Sequence, residues 1–292
     1  MPDFWGIVSI IVKFLLYIGV FGAVGTVLTR LVFAQLVTSL DLSLRRRAFA
    51  FAALALVATI FSYALRGAML TGEASGMVDT EMLGLLWDTP VGAAFVTRLA
   101  GIFILILGLA LAAAGRWIAV LGGVVTLWSF ARVGHVPDHG AVWLSAVLLL
   151  HLLGVAFWIG ILSPLKRLTN EEDNLEPAAT LAHRFGQIAT LAVPALIGAG
   201  VILLWRLTGG IDAGINVILG TAYGWTLLLK IAIVAALLGL AAANKLRFVP
   251  AMQTGDIGAA RRLSQSITLE WMAILIILLV TATLTSVLSL PM

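Results

Sequence analysis

The sequence predicts an all-α fold: a polytopic membrane helical bundle with eight transmembrane helices and both termini extracytoplasmic. Three observations carry this expectation. Of 292 residues, 61% are hydrophobic and 11% charged, and the mean hydropathy is +1.10; soluble domains average about half apolar and about a quarter charged. Eight apolar runs meet or approach the roughly 20 residues that a helix needs to cross a bilayer core of about 30 Å. The basic residues gather in alternate connections between those runs, the pattern that orients membrane helices.

The runs lie at 5–36, 48–66, 91–115, 117–133, 141–164, 185–206, 222–243 and 267–289. The opening MPDFWGIVSIIVKF is acidic before it is basic and lacks a small-residue cleavage site. It is expected to be the first membrane helix and not a cleaved signal peptide. Thr89-Pro90 supplies a capping hydroxyl and a first-turn proline for the third run. The fourth run is the shortest, bounded by Arg116 and Arg132, whose long side chains can snorkel to the two interfaces. Pro194 lies inside the sixth run and is expected to kink it. No polar region is large enough for a soluble domain and no internal repeat is evident, so 1–292 is expected to form a single eight-helix transmembrane domain.

Arg45, Arg46 and Arg47 precede the second run and Arg116 the fourth. Lys166, Arg167 and Arg184 follow the fifth, and Lys245, Arg247, Arg261 and Arg262 follow the seventh. The opposite connections carry mainly Arg66, Arg132 and Arg206. The positive-inside rule then puts the basic loops in the cytoplasm. On that assignment His135 and His139 face the extracytoplasmic side and His183 the cytoplasm.

The net charge of +4 and a pI near 9.9 reflect these topology signals, and no nucleic-acid partner is expected. The lipid bilayer is the surrounding partner. The chain has no cysteine, so it has no disulfide and no thiolate metal site. A GxxxxGK[ST] phosphate loop is absent, as are HExxH and GxSxG motifs. The chain therefore lacks its own ATPase and the signatures of familiar membrane hydrolases, and it is not expected to be an enzyme. The glycine-rich stretch 208–223 lacks the strand–turn–helix setting of a phosphate site and is expected to be an interfacial turn.

Three of the four histidines, His135, His139 and His151, fall within residues 132–164. A neutral imidazole is a good ligand for copper, zinc, iron or nickel. His135 and His139 are spaced i, i+4 across Pro137, and as a helix face or as a turn they can reach one metal. His151 lies roughly 15 Å down the fifth run, counted from Ala141 at about 1.5 Å per residue. Gly154 and Trp158 follow it on the same face, suited to close packing against an aromatic wall. The alternative is that His151 hydrogen-bonds across the bundle and the other two are merely solvated. Ionisable groups at membrane depth favour a functional role.

Lys13, Arg98, Lys230 and Glu270 also fall within apolar runs. The three cations are expected at a similar depth, with Asp88 and Asp138 as possible compensators. Either they line a polar, hydrated cavity open to the outside, or they snorkel and bond between helices. Met69, Met77 and Met82 share one outer connection with Glu73, Asp79, Glu81 and Asp88. Thioethers suit Cu(I), and methionine is also ordinary apolar filler.

Several short motifs occur in order: Gly134-His135, His151-Leu152-Leu153, Phe157-Trp158-Ile159-Gly160, His183-Arg184-Phe185-Gly186, Tyr223-Gly224 and Leu228-Leu229-Lys230. In this order and spacing the chain resembles the CopD family of copper resistance proteins, most strongly over 130–250. Gly160-Ile161 departs from a glycine pair found in many relatives and bears on local helix packing. The resemblance implies a bacterial inner-membrane protein that handles periplasmic copper, commonly proposed to import it, with His135 and His151 as functional positions.

The expected function is thus binding of periplasmic copper, Cu(I) or Cu(II), and its movement across or into the membrane. His135 and His139 would capture the ion with Met77 or Met82. His151 would be the deeper station, in a cavity shaped by Trp158 and the pathway residues Lys230, Lys13, Arg98 and Glu270. A periplasmic copper chaperone is a candidate delivery partner. The rivals are a b-type haem electron-transfer protein using His151 and a copper sensor or assembly partner that does not conduct.

Overall fold

The computed structural model describes residues 3–133, 142–170, 175–207 and 218–288. Every regular element among them is helical. Helix α1 spans Phe4–Val32 and starts on Asp3, whose carboxylate accepts the Gly6 N–H. Helix α2 spans Asp41–Thr71 and stops at Gly72, whose φ of 77° is the left-handed geometry that favours glycine at a helix end. The short α3, Thr80–Trp87, is capped by Asp79. Helix α4, Pro90–Ala110, opens as expected, with Thr89 accepting the Val91 N–H. Helix α5, Arg116–Trp128, runs into a 3-10 turn at Ser129–Arg132.

Helices α6 and α7 span Val142–Thr169 and Leu175–Leu207. Helix α8, Ala222–Ala243, continues through a π turn, Asn244–Phe248, into α9, Val249–Gln253. Pro250 lies two residues after that turn. A proline lacks an N–H and its ring crowds the carbonyl four residues back; the wider π turn sits where that crowding would fall. Helix α10, Ile257–Ser286, is capped by Asp256.

Among the described residues, seven helical segments are long and apolar enough to cross a membrane: Phe4–Val32, Thr38–Thr71, Pro90–Ala110, Val142–Thr169, Leu175–Arg206, Ala222–Gln253 and Ile257–Ser286. Helix α5 has 13 residues. The helices differ from the apolar runs mainly at their ends. Helix α2 passes through Arg66 to Thr71, and α7 and α10 begin about ten residues before their apolar runs. Pro164 and Pro194 lie inside α6 and α7, and neither interrupts its helix. The stretch 208–217 lies outside the described residues.

Helix α1 is the hub, packing against α2, α5, α6 and α10. Half of its most apolar window is buried, against 6% for the α8–α9 rod, whose apolar side chains are left for lipid. Without a hydrophobic drive between helices in hydrocarbon, association depends on close backbone approach at small residues. At the α1–α6 crossing a Cβ on Gly160 would lie 2.0 Å from the Gly25 carbonyl oxygen. One on Gly25 would lie 2.0 Å from the Ala156 carbonyl oxygen. The α4–α5 hairpin repeats the device: a Cβ on Gly108 would meet Ala119 N at 2.2 Å, and one on Gly122 would meet Leu105 N at 2.2 Å.

One end of the bundle is tied by basic side chains. Arg30 pairs with Asp41 at 2.8 Å, and Arg45 Nε donates to the Leu109 carbonyl at 2.7 Å. Arg47 bonds Ser163, and Arg167 bonds Ser43. These link α1, α2, α4 and α6.

Because the atoms facing Gly25 and Gly160 are backbone, a new side chain there cannot be accommodated by a rotamer change. Gly160→Val or Gly25→Val should destabilise the bundle by about 1–3 kcal/mol or more, the usual cost of overpacking. Thermal unfolding in detergent reads this; Gly198→Val, where a Cβ meets nothing within 4 Å, is the control expected to leave the transition in place.

Candidate functional site

His151 stands in the middle of α6, half-buried against α7. Its Nδ1 lies 3.3 Å from the Leu196 carbonyl oxygen. A carbonyl only accepts, so Nδ1 carries the proton and Nε2 keeps its lone pair. Nε2 has no hydrogen-bond partner among the described residues. A ring N–H fixed on a backbone carbonyl with the other nitrogen free is how protein imidazoles are oriented for a metal. Gly154, one turn on, allows this approach: a Cβ there would lie 2.5 Å from the Leu196 side chain. The expected face of α6 therefore does pack closely, with Leu196 as its partner. Lys230 on α8 lies within electrostatic range of the ring and makes no hydrogen bond or ion pair among the described residues.

Trp158, two turns after His151, is 8% exposed. Its ring sits edge-on to Phe185 with centroids 5.6 Å apart, and its Nε1–H donates to Glu270 Oε2 at 3.1 Å. Asn244 Nδ2, at the start of the π turn, donates to Glu270 Oε1 at 2.5 Å. Glu270 is 2% exposed. Trp158 thus connects the histidine-bearing helix to a buried carboxylate on α10. Asn244 had no signal in the hydropathy pattern beyond a polar residue closing an apolar run shortly before Pro250.

Lys13 and Arg98 come together at the end of the bundle where α1 begins, joined by Arg66 from α2. Lys13 donates to the Thr285 carbonyl, and Tyr17 Oη lies 3.0 Å from Thr285 Oγ1. Arg98 Nε donates to Ser129 Oγ at 2.9 Å, with its guanidinium 4.3 Å from the centre of the Phe130 ring. A narrow cleft between α1, α2 and α10 is lined by Ser9, Lys13, Ser62, Arg66, Met69 and Ser286. Lys13 and Arg98 are compensated by a carbonyl, a hydroxyl and an aromatic face; among the described residues no acid pairs with them or with Arg66. Lys230 is not among the charges that act on Lys13; it acts electrostatically on the His151 ring.

Met69 belongs to α2, Met77 to a 3-10 turn and Met82 to α3. Met77 packs against Val12, Leu65 and Ala68 with Trp5 and Val8. His135 and His139, with Asp138, lie outside the described residues. Among the described residues no three of His, Asp and Glu gather where they could hold a metal.

Trp158→Phe keeps an aromatic ring, though a smaller one, and removes one of the two donors to Glu270. Loss of a hydrogen bond to a buried charged group costs about 1–3 kcal/mol, so a lowered thermal transition is expected, and an unchanged one would show the bond to be dispensable.

Two family models match. Residues 1–144 match the Copper resistance protein D-like N-terminal domain, and residues 179–284 match Copper resistance protein D. No curated protein and no solved structure matches the chain. The two matches cover most of the sequence on either side of the His151 helix: the chain belongs to the copper resistance protein D (CopD) family and is a multi-pass protein of the inner membrane.

Proposed function

We propose that this chain is a copper-binding transporter, not an enzyme, that takes copper at its extracytoplasmic face and moves it into or across the membrane. The observation that carries the reading is His151: a mid-helix imidazole in a copper-resistance family chain, its Nδ1 engaged by Leu196 and its Nε2 free. His135 and His139, in the connection before α6, are the capturing pair, with Met77 or Met82 as auxiliary soft ligands. Trp158 shapes the passage below, and Lys230, Lys13, Arg98 and Glu270 set its electrostatics. Copper is cargo, and a few exchangeable ligands suit an ion that must leave again. A periplasmic copper chaperone is the class of partner that would deliver it.

The same reading counts eight spans in one domain with both termini outside. Arg116–Trp128 and the following four-residue 3-10 turn together rise about 28 Å, because a 3-10 turn gains about 2.0 Å per residue against 1.5 Å in an α-helix. That nearly matches the hydrocarbon core of about 30 Å. The basic side chains that tie α2, α4 and α6 then mark the cytoplasmic end.

The haem alternative needs a second histidine level with His151. His183 is the other described histidine and bonds Gln187 on α7. It lies 13 residues before Leu196, about 20 Å along the helix, so no axial pair forms from these two.

The test is titration of the purified protein with Cu(I) and with Cu(II), wild type beside His135→Ala, His139→Ala and His151→Ala. Stoichiometric copper in the wild type, weakened about tenfold or more by each substitution (~1.4 kcal/mol), is the expected result. Equal affinity in all four proteins would sink the histidine path. Copper flux into proteoliposomes then separates a transporter from a sensor or assembly partner that binds without conducting.

A further inference from the structure

Glu270 is left unexplained by a copper path built on imidazoles. It sits 2% exposed in a membrane-spanning helix and accepts from two neutral donors, Trp158 Nε1 and Asn244 Nδ2. No basic side chain among the described residues pairs with it. The charged groups on the elements packed against it are accounted for. On α6, Lys166 bonds Thr268 and Arg167 bonds Ser43; Thr268 is two residues from Glu270 and so points to another face of α10. Lys245 bonds Thr190, and Arg247 is exposed. On α1, Lys13 is held at Thr285 and Arg30 at Asp41. Lys230 lies 14 residues before Asn244, about 21 Å along the helix. On α7, His183 bonds Gln187 and Arg184 is exposed. On α10 itself, Arg262 pairs with Asp256 and Arg261 is exposed.

Two further buried atoms, Asn244 Oδ1 and Ser266 Oγ, have no hydrogen-bond partner among the described residues. Asn244 is 8% exposed and Ser266 5%. Asn244 is already bonded to the carboxylate through its amide nitrogen, so its unsatisfied oxygen belongs to the same small volume. Ser266 precedes Glu270 by one turn on the same face of α10. Orphaned polar atoms buried this deeply are rare and call for an occupant.

A carboxyl group in apolar surroundings can lose an uncompensated charge by binding a cation or a proton. An all-oxygen set of carboxylate, amide and hydroxyl is a poor home for soft copper. The amide of Asn244 suits both states of the carboxyl. Its N–H side faces a carboxylate, as observed, and its oxygen side would accept the O–H of a carboxylic acid after a half-turn. That half-turn also gives Oδ1 the partner it lacks. The π turn that begins at Asn244 is a local irregularity of the kind that recurs at functional positions in helices.

We propose that Glu270, with Asn244 as its two-sided partner and Ser266 beside it, is a reversible proton-binding site inside the membrane. In the copper transport proposed above, on which this coupling role rests, it is the site whose proton moves in step with the metal. Protonation takes one proton from water-accessible solvent, forms one carboxyl O–H and turns the Asn244 amide; release reverses each step. Trp158 is the physical link, since it bonds Glu270 and lies seven residues, about 10 Å, along α6 from His151.

The test is made first without copper. Infrared difference spectra of the purified protein, titrated from alkaline to acid, should show the C=O stretch of a buried carboxylic acid appearing. The band should be lost in Glu270→Gln and displaced in Glu270→Asp and in Asn244→Leu, with folding checked by thermal unfolding. Copper uptake by proteoliposomes should depend on pH in the wild type and lose that dependence in Glu270→Gln. A band that persists in the folded Glu270→Gln protein overturns the site, as does a signal that follows sodium and not pH. A titrating band in a wild type that moves no copper would leave the proton site standing and remove the transport reading instead.

Discussion

The close crossing of α1 and α6 is the contact on which the other polar placements depend. In hydrocarbon an apolar side chain gains little by leaving lipid for protein, so helices hold together where their backbones can touch. Gly25, Ala156 and Gly160 provide such a place. Trp158 lies between Ala156 and Gly160, so the crossing that locks α6 also fixes the indole that reaches Glu270. Seven residues earlier the same rigid helix presents His151 to the Leu196 carbonyl. One steric fit therefore positions both polar groups at depth, without either having to supply the packing energy.

The buried polar groups divide by their chemistry. At the end where α1 begins, cations are balanced by carbonyls, hydroxyls and the Phe130 face. This is compensation by dipoles and a ring quadrupole, which avoids bringing a carboxylate into the membrane. Deeper, a carboxylate is balanced by two neutral N–H donors, again without an ion pair. Between them stands a single imidazole with a free nitrogen. Among the described residues each arrangement leaves something over: basic charge without an acid partner in the cleft with Arg66, an unsatisfied amide oxygen at Asn244, and a lone pair at His151.

The class of fold was legible because hydropathy responds directly to the thickness of hydrocarbon, and no soluble domain needs so few charges. Helix ends were not, because a helix does not stop where the bilayer does. Helices α7 and α10 begin in polar sequence outside their apolar runs, and α2 carries Arg66 inside it, where a long side chain can bend toward a cleft. Lys13, Arg98, Trp158, His151 and Glu270 stood out in the sequence as polar or aromatic residues at depth. Their partners did not. That Trp158 bonds Glu270, and that Asn244 joins them, depends on how α6, α8 and α10 meet, which is long-range information that no local pattern carries. The apolar neighbours of Met77, from α1 and α2, were likewise not legible in the sequence.

The proposed transport depends on copper being bound by imidazole from α6 and from the connection that precedes it. X-ray absorption at the copper edge of the copper-loaded wild type tests it most directly, because imidazole rings give characteristic outer-shell scattering. Nitrogen ligands with imidazole scattering are expected, with one fewer such ring in His151→Ala. Copper bound with no imidazole scattering, or a spectrum indifferent to His151, would contradict it.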